Sequence, residues 1–262
     1  RGLGDVYKRQ TQDSLNNIWI STREGMVTYD EKHGNFTLVN RDIIYSSLCI
    51  TDGILFGSEN RIYKYDYKKR SFKSINIKKQ EDKGSDVTKY RVQKIIAFSE
   101  REALVATRRD GVYVLDYQTM RLKRLFSGSN NILQGAYLSS NGYIYLSFWG
   151  QGLFCYEKTG KFIKRYTKEN SDLTNNYVLD IVEKEGFLWL ATDGGGINRL
   201  ELSNENFSNL YHIAGDKNSL PVNSVTILYK DENEGLWAGS VRGGVFNIKK
   251  SYIRTYKDCP LG

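Results

Sequence analysis

Apolar residues in this chain come in short runs of about five, separated by turns rich in Gly, Asp, Asn and Ser. One pattern recurs: two apolar or aromatic residues, a third apolar one, then small residues ending at Ser or Thr. It reads Ile18-Trp19-Ile20-Ser21-Thr22, Ile54-Leu55-Phe56-Gly57-Ser58 and Ala103-Leu104-Val105-Ala106-Thr107. It returns, with variation, in Ile144-Tyr145-Leu146-Ser147-Phe148, Leu188-Trp189-Leu190-Ala191-Thr192 and Leu236-Trp237-Ala238-Gly239-Ser240. The second positions of these six runs lie 36 to 49 residues apart. That spacing matches a four-stranded propeller blade, and the continuous or alternating apolar runs argue against a helical solenoid of similar period.

Each unit divides into four strands. A short apolar strand precedes the signature, as in Val178 to Val182 or Val225 to Tyr229, and forms the inner strand A. The signature is strand B. A Gly-containing turn leads to strand C, as in Gly152-Leu153-Phe154-Cys155-Tyr156, and a polar turn leads to strand D, as in Phe162 to Tyr166. The expected fold class is therefore all-β, a β-propeller of four-stranded blades with about six repeats. The blades are expected at 11–40, 41–78, 85–126, 130–168, 175–213 and 222–257. Residues 1–10 show neither strand alternation nor an inner-strand pattern and are read as foreign to the repeat, so the first blade is expected to lack strand A. Residues 259–262 read as a linker to a further element.

The run Leu188-Trp189-Leu190-Ala191-Thr192-Asp193-Gly194-Gly195-Gly196-Ile197-Asn198-Arg199 resembles the two-component regulator propeller repeat. Leu236 to Val245 and Asn17 to Thr22 are further matches, whereas the units centred on Leu55, Leu104 and Tyr145 lack the Trp. The resemblance implies the periplasmic sensor region of a Bacteroidota-type hybrid two-component histidine kinase anchored in the inner membrane. It implies a poly- or oligosaccharide ligand, an intact homodimer, further propeller and Tyr-rich β domains, and a cytoplasmic kinase as output. Because such propellers commonly have seven blades, six repeats imply an incomplete ring.

Composition adds constraints. The formal charge is +8, but the Lys and Arg residues are dispersed and not interleaved with aromatics along one stripe, so nucleic acid is not an expected partner. Cys49, Cys155 and Cys259 are far apart, and the first two are expected to be small buried hydrophobes. The Gly-rich Asp193–Gly196 stretch is followed by strand-like residues, not a helix, so it reads as a B–C hairpin turn and not a phosphate cradle. Lys230 to Gly235 lacks calcium-loop spacing and also reads as a turn. The two histidines, His33 and His212, have no nucleophile or second ligand in a recognisable setting. No catalytic constellation, metal site or cofactor is expected, and the chain reads as a binding module, not an enzyme.

In a propeller the B–C and D–A loops gather at one face. The candidate ligand-binding residues on those loops are Arg23, Tyr45, Arg108, Trp149, Asn176, Tyr177, Asp193 and Arg242, with Tyr90 and Arg109 also on them. Aromatic faces suit sugar C–H surfaces, and amide or guanidinium groups suit hydroxyls. Arginines at equivalent turns suit an acidic glycan. Two other readings are a scaffold for protein–protein contact and a propeller lyase; the latter is disfavoured by the scarcity of His.

Overall fold

The structure, a computed structural model, describes residues 7–22, 24–30, 33–77, 87–128, 131–249 and 253–256. These form six four-stranded antiparallel sheets, each with its strands paired in chain order, and a single 3-10 turn at Val87–Tyr90. The fold is an all-β propeller built of such blades. The chain divides into two compact units, residues 1–130 and 131–262, each holding three blades.

In the first unit, blade 1 comprises β1 (Tyr7–Gln12), β2 (Ile18–Thr22), β3 (Gly25–Asp30) and β4 (Asn35–Asn40). Blade 2 comprises β5 (Ser46–Ile50), β6 (Gly53–Gly57), β7 (Arg61–Asp66) and β8 (Ser71–Asn76). Blade 3 comprises β9 (Val92–Ala97), β10 (Glu102–Thr107), β11 (Gly111–Asp116) and β12 (Arg121–Ser127). In the second unit, blade 4 holds β13 (Leu133–Leu138), β14 (Tyr143–Phe148), β15 (Gly152–Glu157) and β16 (Phe162–Tyr166). Blade 5 holds β17 (Val178–Lys184), β18 (Phe187–Thr192), β19 (Ile197–Glu201) and β20 (Phe207–Leu210). Blade 6 holds β21 (Val225–Lys230), β22 (Leu236–Ser240), β23 (Gly244–Ile248) and β24 (Ile253–Tyr256).

Blade 1 corrects the sequence-based expectation, because it does have an inner strand. Tyr7–Gln12 pairs antiparallel with β2, Gln10 opposite Ile20 and Thr11 opposite Trp19. Gln10 and Gln12 are exposed, Thr11 Oγ1 meets Ser47 Oγ of blade 2 at 2.5 Å, and no hydrophobic pattern announces the strand. Residues 1–6 and 257–262 lie outside the described residues. Cys49 is also a correction: it is exposed on β5, whereas Cys155 is buried.

A four-stranded sheet with two apolar faces must cover both, and blades do so by stacking. In the first unit Trp19 of blade 1 is buried against blade 2, its ring 5.2 Å from Phe56 and 5.0 Å from Tyr65. Leu55 and Ile62 of blade 2 pack with Ile95, Val105 and Leu115 of blade 3. In the second unit Tyr145 and Leu153 of blade 4 pack with Ile181, Leu188 and Leu190 of blade 5. Trp189 and Ile197 of blade 5 then pack with Leu228, Leu236 and Phe246 of blade 6. A polar bond accompanies the packing at the inner strands. Ser46 Oγ of blade 2 accepts the Ile95 amide of blade 3 at 2.7 Å, and Asp180 of blade 5 accepts the Leu228 amide of blade 6 at 3.1 Å.

Blade 6 breaks the series. The position opposite the small residue of strand B is Leu153 in blade 4, Ile197 in blade 5 and Val245 in blade 6. The first two are fully buried, but Val245 is 50% exposed. Ile227 and Tyr229 beside it are exposed as well, and with Trp237 they line a recess of about 290 Å³.

Two of the signature tryptophans share an anchor six residues upstream. Asp13 accepts the Trp19 indole N–H at 2.8 Å, and Asp231 accepts that of Trp237 at 2.7 Å. Each carboxylate also takes backbone amides of its own A–B turn: Leu15 and Asn17 for Asp13, Asn233 and Gly235 for Asp231. The Lys230–Gly235 segment is thus a turn whose Asp231 carboxylate is engaged locally. Partial burial raises the Asp13 pKa, but the bonds from Trp19, Asn17 and Leu15 outweigh it and hold the carboxyl below its ordinary range. Asp231 is held down first by the Trp237 indole and then by the Gly235 amide.

Two outcomes are expected. A carboxyl whose pKa is lowered by folding stabilises the fold above its unfolded value, about pH 4, and that contribution disappears as pH falls through the lowered folded value. Urea denaturation between pH 7 and pH 2.5 should therefore show stability falling below about pH 4, with a shallower fall in the Asp13→Asn/Asp231→Asn variant. Separately, Val245→Lys should change stability by no more than about 0.5 kcal/mol. Ile197→Lys, which buries an unpaired charge at the equivalent position, should cost about 3–5 kcal/mol or prevent folding. Equal losses at the two positions would mean that blade 6 is covered in solution.

Candidate functional site

The loops that carry the predicted site residues are tied to one another through the backbone. The residue that follows strand B donates its amide to the carbonyl just before or within the start of strand A: Arg108 to Arg91 at 2.7 Å, Trp149 to Ile132 at 2.8 Å and Asp193 to Tyr177 at 3.0 Å. In blades 4 and 5 the glycine that opens strand C or precedes it donates to the segment leading into the next blade, Gly152 to Asn176 and Gly196 to Asn223, both at 2.8 Å. These two glycines have φ of +76° and +73°, and a Cβ would fall 2.2 Å from the Tyr166 carbonyl and 2.1 Å from that of Leu210. Only glycine lets strand C start this close to strand D. The Gly-rich stretch from Asp193 is therefore a B–C turn, and Thr174 Oγ1 donates to Gly195 O at 2.7 Å across it.

The second unit brings four of the predicted residues together. Trp149 and Tyr177 meet edge to face with ring centroids 5.0 Å apart. Both remain open to solvent, Trp149 by 47% and Tyr177 by 39%. Gly150 lies under the Tyr177 ring, and a Cβ there would come within 3.3 Å of it. Asn176 donates from its amide to both Glu169 oxygens, at 3.2 and 3.0 Å, and its Oδ1 accepts the Lys168 amide. Asp193 accepts the Ser224 hydroxyl at 2.5 Å, while Asn175 donates to the Asp193 carbonyl. Beside this group opens a recess of about 600 Å³ bounded by Lys168, Asp172, Thr174, Gly194, Gly195 and Tyr211. Arg242 is exposed on the blade 6 hairpin, and nothing in the structure joins it to the aromatic pair.

The first unit holds Tyr45 and Arg108. Tyr45 stacks under the Arg91 guanidinium at 4.3 Å, and Arg91 grips Glu59 through two bonds of 3.0 and 3.2 Å. Burial and the bond to Glu59 raise the Tyr45 pKa. Arg108 is half-buried on the neighbouring turn. Tyr90 is not at the surface as expected; it is 1% exposed within the core between blades 2 and 3. Arg23 lies outside the described residues.

Sequence reading missed Glu59, Arg91, Asn175 and Ser224. Glu59 and Arg91 lie 32 positions apart, so only the fold reveals the pair. Asn175 had a signal, since an Asn three residues before an inner-strand start suits a side-chain turn, here the Tyr177 amide to Asn175 Oδ1 at 2.8 Å.

No family model matches the chain, and no curated protein matches it. Solved structures do. The extracellular domain of BT3049 from B. thetaiotaomicron, assigned to a hybrid two-component system, matches with TM-score 0.64 and 19% identity over 83% of this chain. That of BT4673 from the same organism, assigned to a one-component system, matches with TM-score 0.56 and 16% identity over 92% of the chain. The WD40 domain of Neurospora crassa Pan2 matches with TM-score 0.70 and 12% identity over 98% of the chain, covering 81% of its own length. The chain spans 30% of the BT3049 domain and 40% of the BT4673 domain. At these identities the likeness establishes the fold: this chain is a β-propeller.

Proposed function

We propose that this chain is part of the ligand-sensing propeller region of an extracytoplasmic, membrane-anchored two-component regulator, and that its ligand is an oligosaccharide. It acts as a binding module and not as an enzyme. The rest of the parent protein, with further propeller and Tyr-rich β domains, carries the ligand state to a cytoplasmic histidine kinase as a homodimer. The repeat signature around Trp189 and Trp237 and the fold shared with two extracellular regulator domains support the sensor reading.

The observation that carries the ligand class is the Trp149–Tyr177 pair. Two large rings held open on loops are costly in water, and their loops are fixed from both sides by backbone bonds. An aromatic surface set in advance, beside the amides of Asn175 and Asn176 and the carboxylate of Asp193, suits stacking on a pyranose with hydrogen bonds to its hydroxyls. Signalling then requires that the ligand favour one arrangement of the parent protein by differential affinity.

Calorimetric titration against a panel of neutral and uronate-containing oligosaccharides tests this. Trp149→Ala and Tyr177→Ala are each expected to weaken the best ligand about tenfold or more, equivalent to about 1.4 kcal/mol, with the melting temperature little changed. If no saccharide binds, or if binding is indifferent to both rings, the domain is better described as a protein–protein scaffold.

A further inference from the structure

The loop face of the first unit differs in chemistry from the aromatic pair of the second. Arg108 and Arg109 form the B–C turn of blade 3, both half-buried. Arg108 donates its amide to Arg91 O, and Arg109 and Asp110 donate theirs to Lys89 O at 3.0 and 3.1 Å. These bonds bring four cationic residues from two chain segments side by side. The turn is also pressed by the end of strand D, since a Cβ on Gly128 would fall 2.0 Å from the Arg109 carbonyl.

Among the described residues the acids beside this turn, Glu59 and Asp110, are already engaged. Glu59 is held by Arg91, and Asp110 by Arg124 at 2.9 Å and by the Tyr113 hydroxyl. The Lys89 ammonium lies 4.6 Å from the Tyr90 ring centre. Among the described residues Arg108 and Arg109 take part in no ion pair, and Arg109 Nε is buried with no acceptor. A guanidinium N–H withdrawn from water without an acceptor is unfavourable, and its five-donor fork matches the oxygens of a carboxylate or sulfate.

We infer that Arg108 and Arg109 form an anion-binding site for the carboxylate or sulfate group of an acidic saccharide. The inference deepens the sensor reading for the first unit, where the cations define the ligand by charge. Arg91 serves the site by position: neutralised by Glu59 and stacked on Tyr45, it fixes the carbonyl that holds Arg108.

The test is calorimetry and thermal shift on the whole chain at low ionic strength, with sodium glucuronate, sodium sulfate and glucose as probes. Glucuronate should bind, glucose should not, and Arg108→Gln/Arg109→Gln should weaken glucuronate at least about tenfold. The charge-matched control Arg121→Gln/Lys123→Gln, on the exposed strand β12, should leave it unchanged. Displacement of glucuronate by sulfate supports an oxyanion site in general, and binding without displacement supports a carboxylate site. Equal glucuronate affinity in all three proteins, or equal binding of glucose, overturns the inference. Should the glutamine variant not fold, Arg108→Lys/Arg109→Lys keeps the charge but loses the fork, and unchanged glucuronate affinity there overturns it equally. Anion binding here without any oligosaccharide binding at Trp149 and Tyr177 would leave this site standing and remove the aromatic-platform reading.

Discussion

The structure depends on the burial of one strand B side chain, and its strand C neighbour, under the next blade. Trp19, Leu55, Tyr145 and Trp189 all occupy this position and are each 8% exposed or less. A sheet only four strands wide cannot hide such a residue within itself. Each blade is therefore stable only as part of a stack, and the apolar residues must recur at the blade period. Pinning the middle of every sheet in this way leaves the turns at its ends free to vary. That division explains why the signature is regular while the loops beginning at Arg108, Trp149 and Asp193 have in common only the glycine at the start of strand C, Gly111, Gly152 and Gly196.

Those loops vary in content but not in attachment. The amide following strand B finds a carbonyl near strand A in blades 3, 4 and 5, so the backbone of the loop face is set by the blades beneath it. On this common frame the two units present different chemistry. The second places two open rings among amides and carboxylates; the first places Arg91 over Tyr45 with Arg108 and Arg109 on the adjoining turn. A frame of this kind loses little entropy on binding, because the ligand meets groups already in place.

The strands were legible in the sequence where burial dictates residue type. The six signatures, the B–C glycines and the outer strands containing Phe72, Phe162 and Phe207 all follow from apolar pattern and turn chemistry. The inner strand of blade 1 was not legible, because its Gln10 and Gln12 face water and no apolar alternation marks it, while the Thr11–Ser47 hydroxyl contact joins residues far apart in sequence. Cys49 misled for the related reason that an apolar run does not fix which of its faces is covered. Of the candidate site residues, the sequence placed Trp149 and Tyr177 on the right loops, but their contact spans 28 positions and arises from blade geometry. The same holds for Arg91 with Glu59, and for Tyr90, whose loop position concealed a buried ring.

Every sheet here pairs its strands in the order in which they occur along the chain. Each hairpin can therefore close without waiting for distant sequence, and the loop-closure entropy to be overcome is small at every step. The stacking side chain of a blade, however, is covered only by the blade made after it, as Trp19 is by blade 2 and Trp189 by blade 6. During synthesis the newest blade would thus always carry an uncovered apolar side chain, aromatic or leucine, and its exposure would end only when about one further repeat had left the ribosome. The vulnerable species in the life of this protein is the growing end of the stack, where the apolar face of the newest blade is still open.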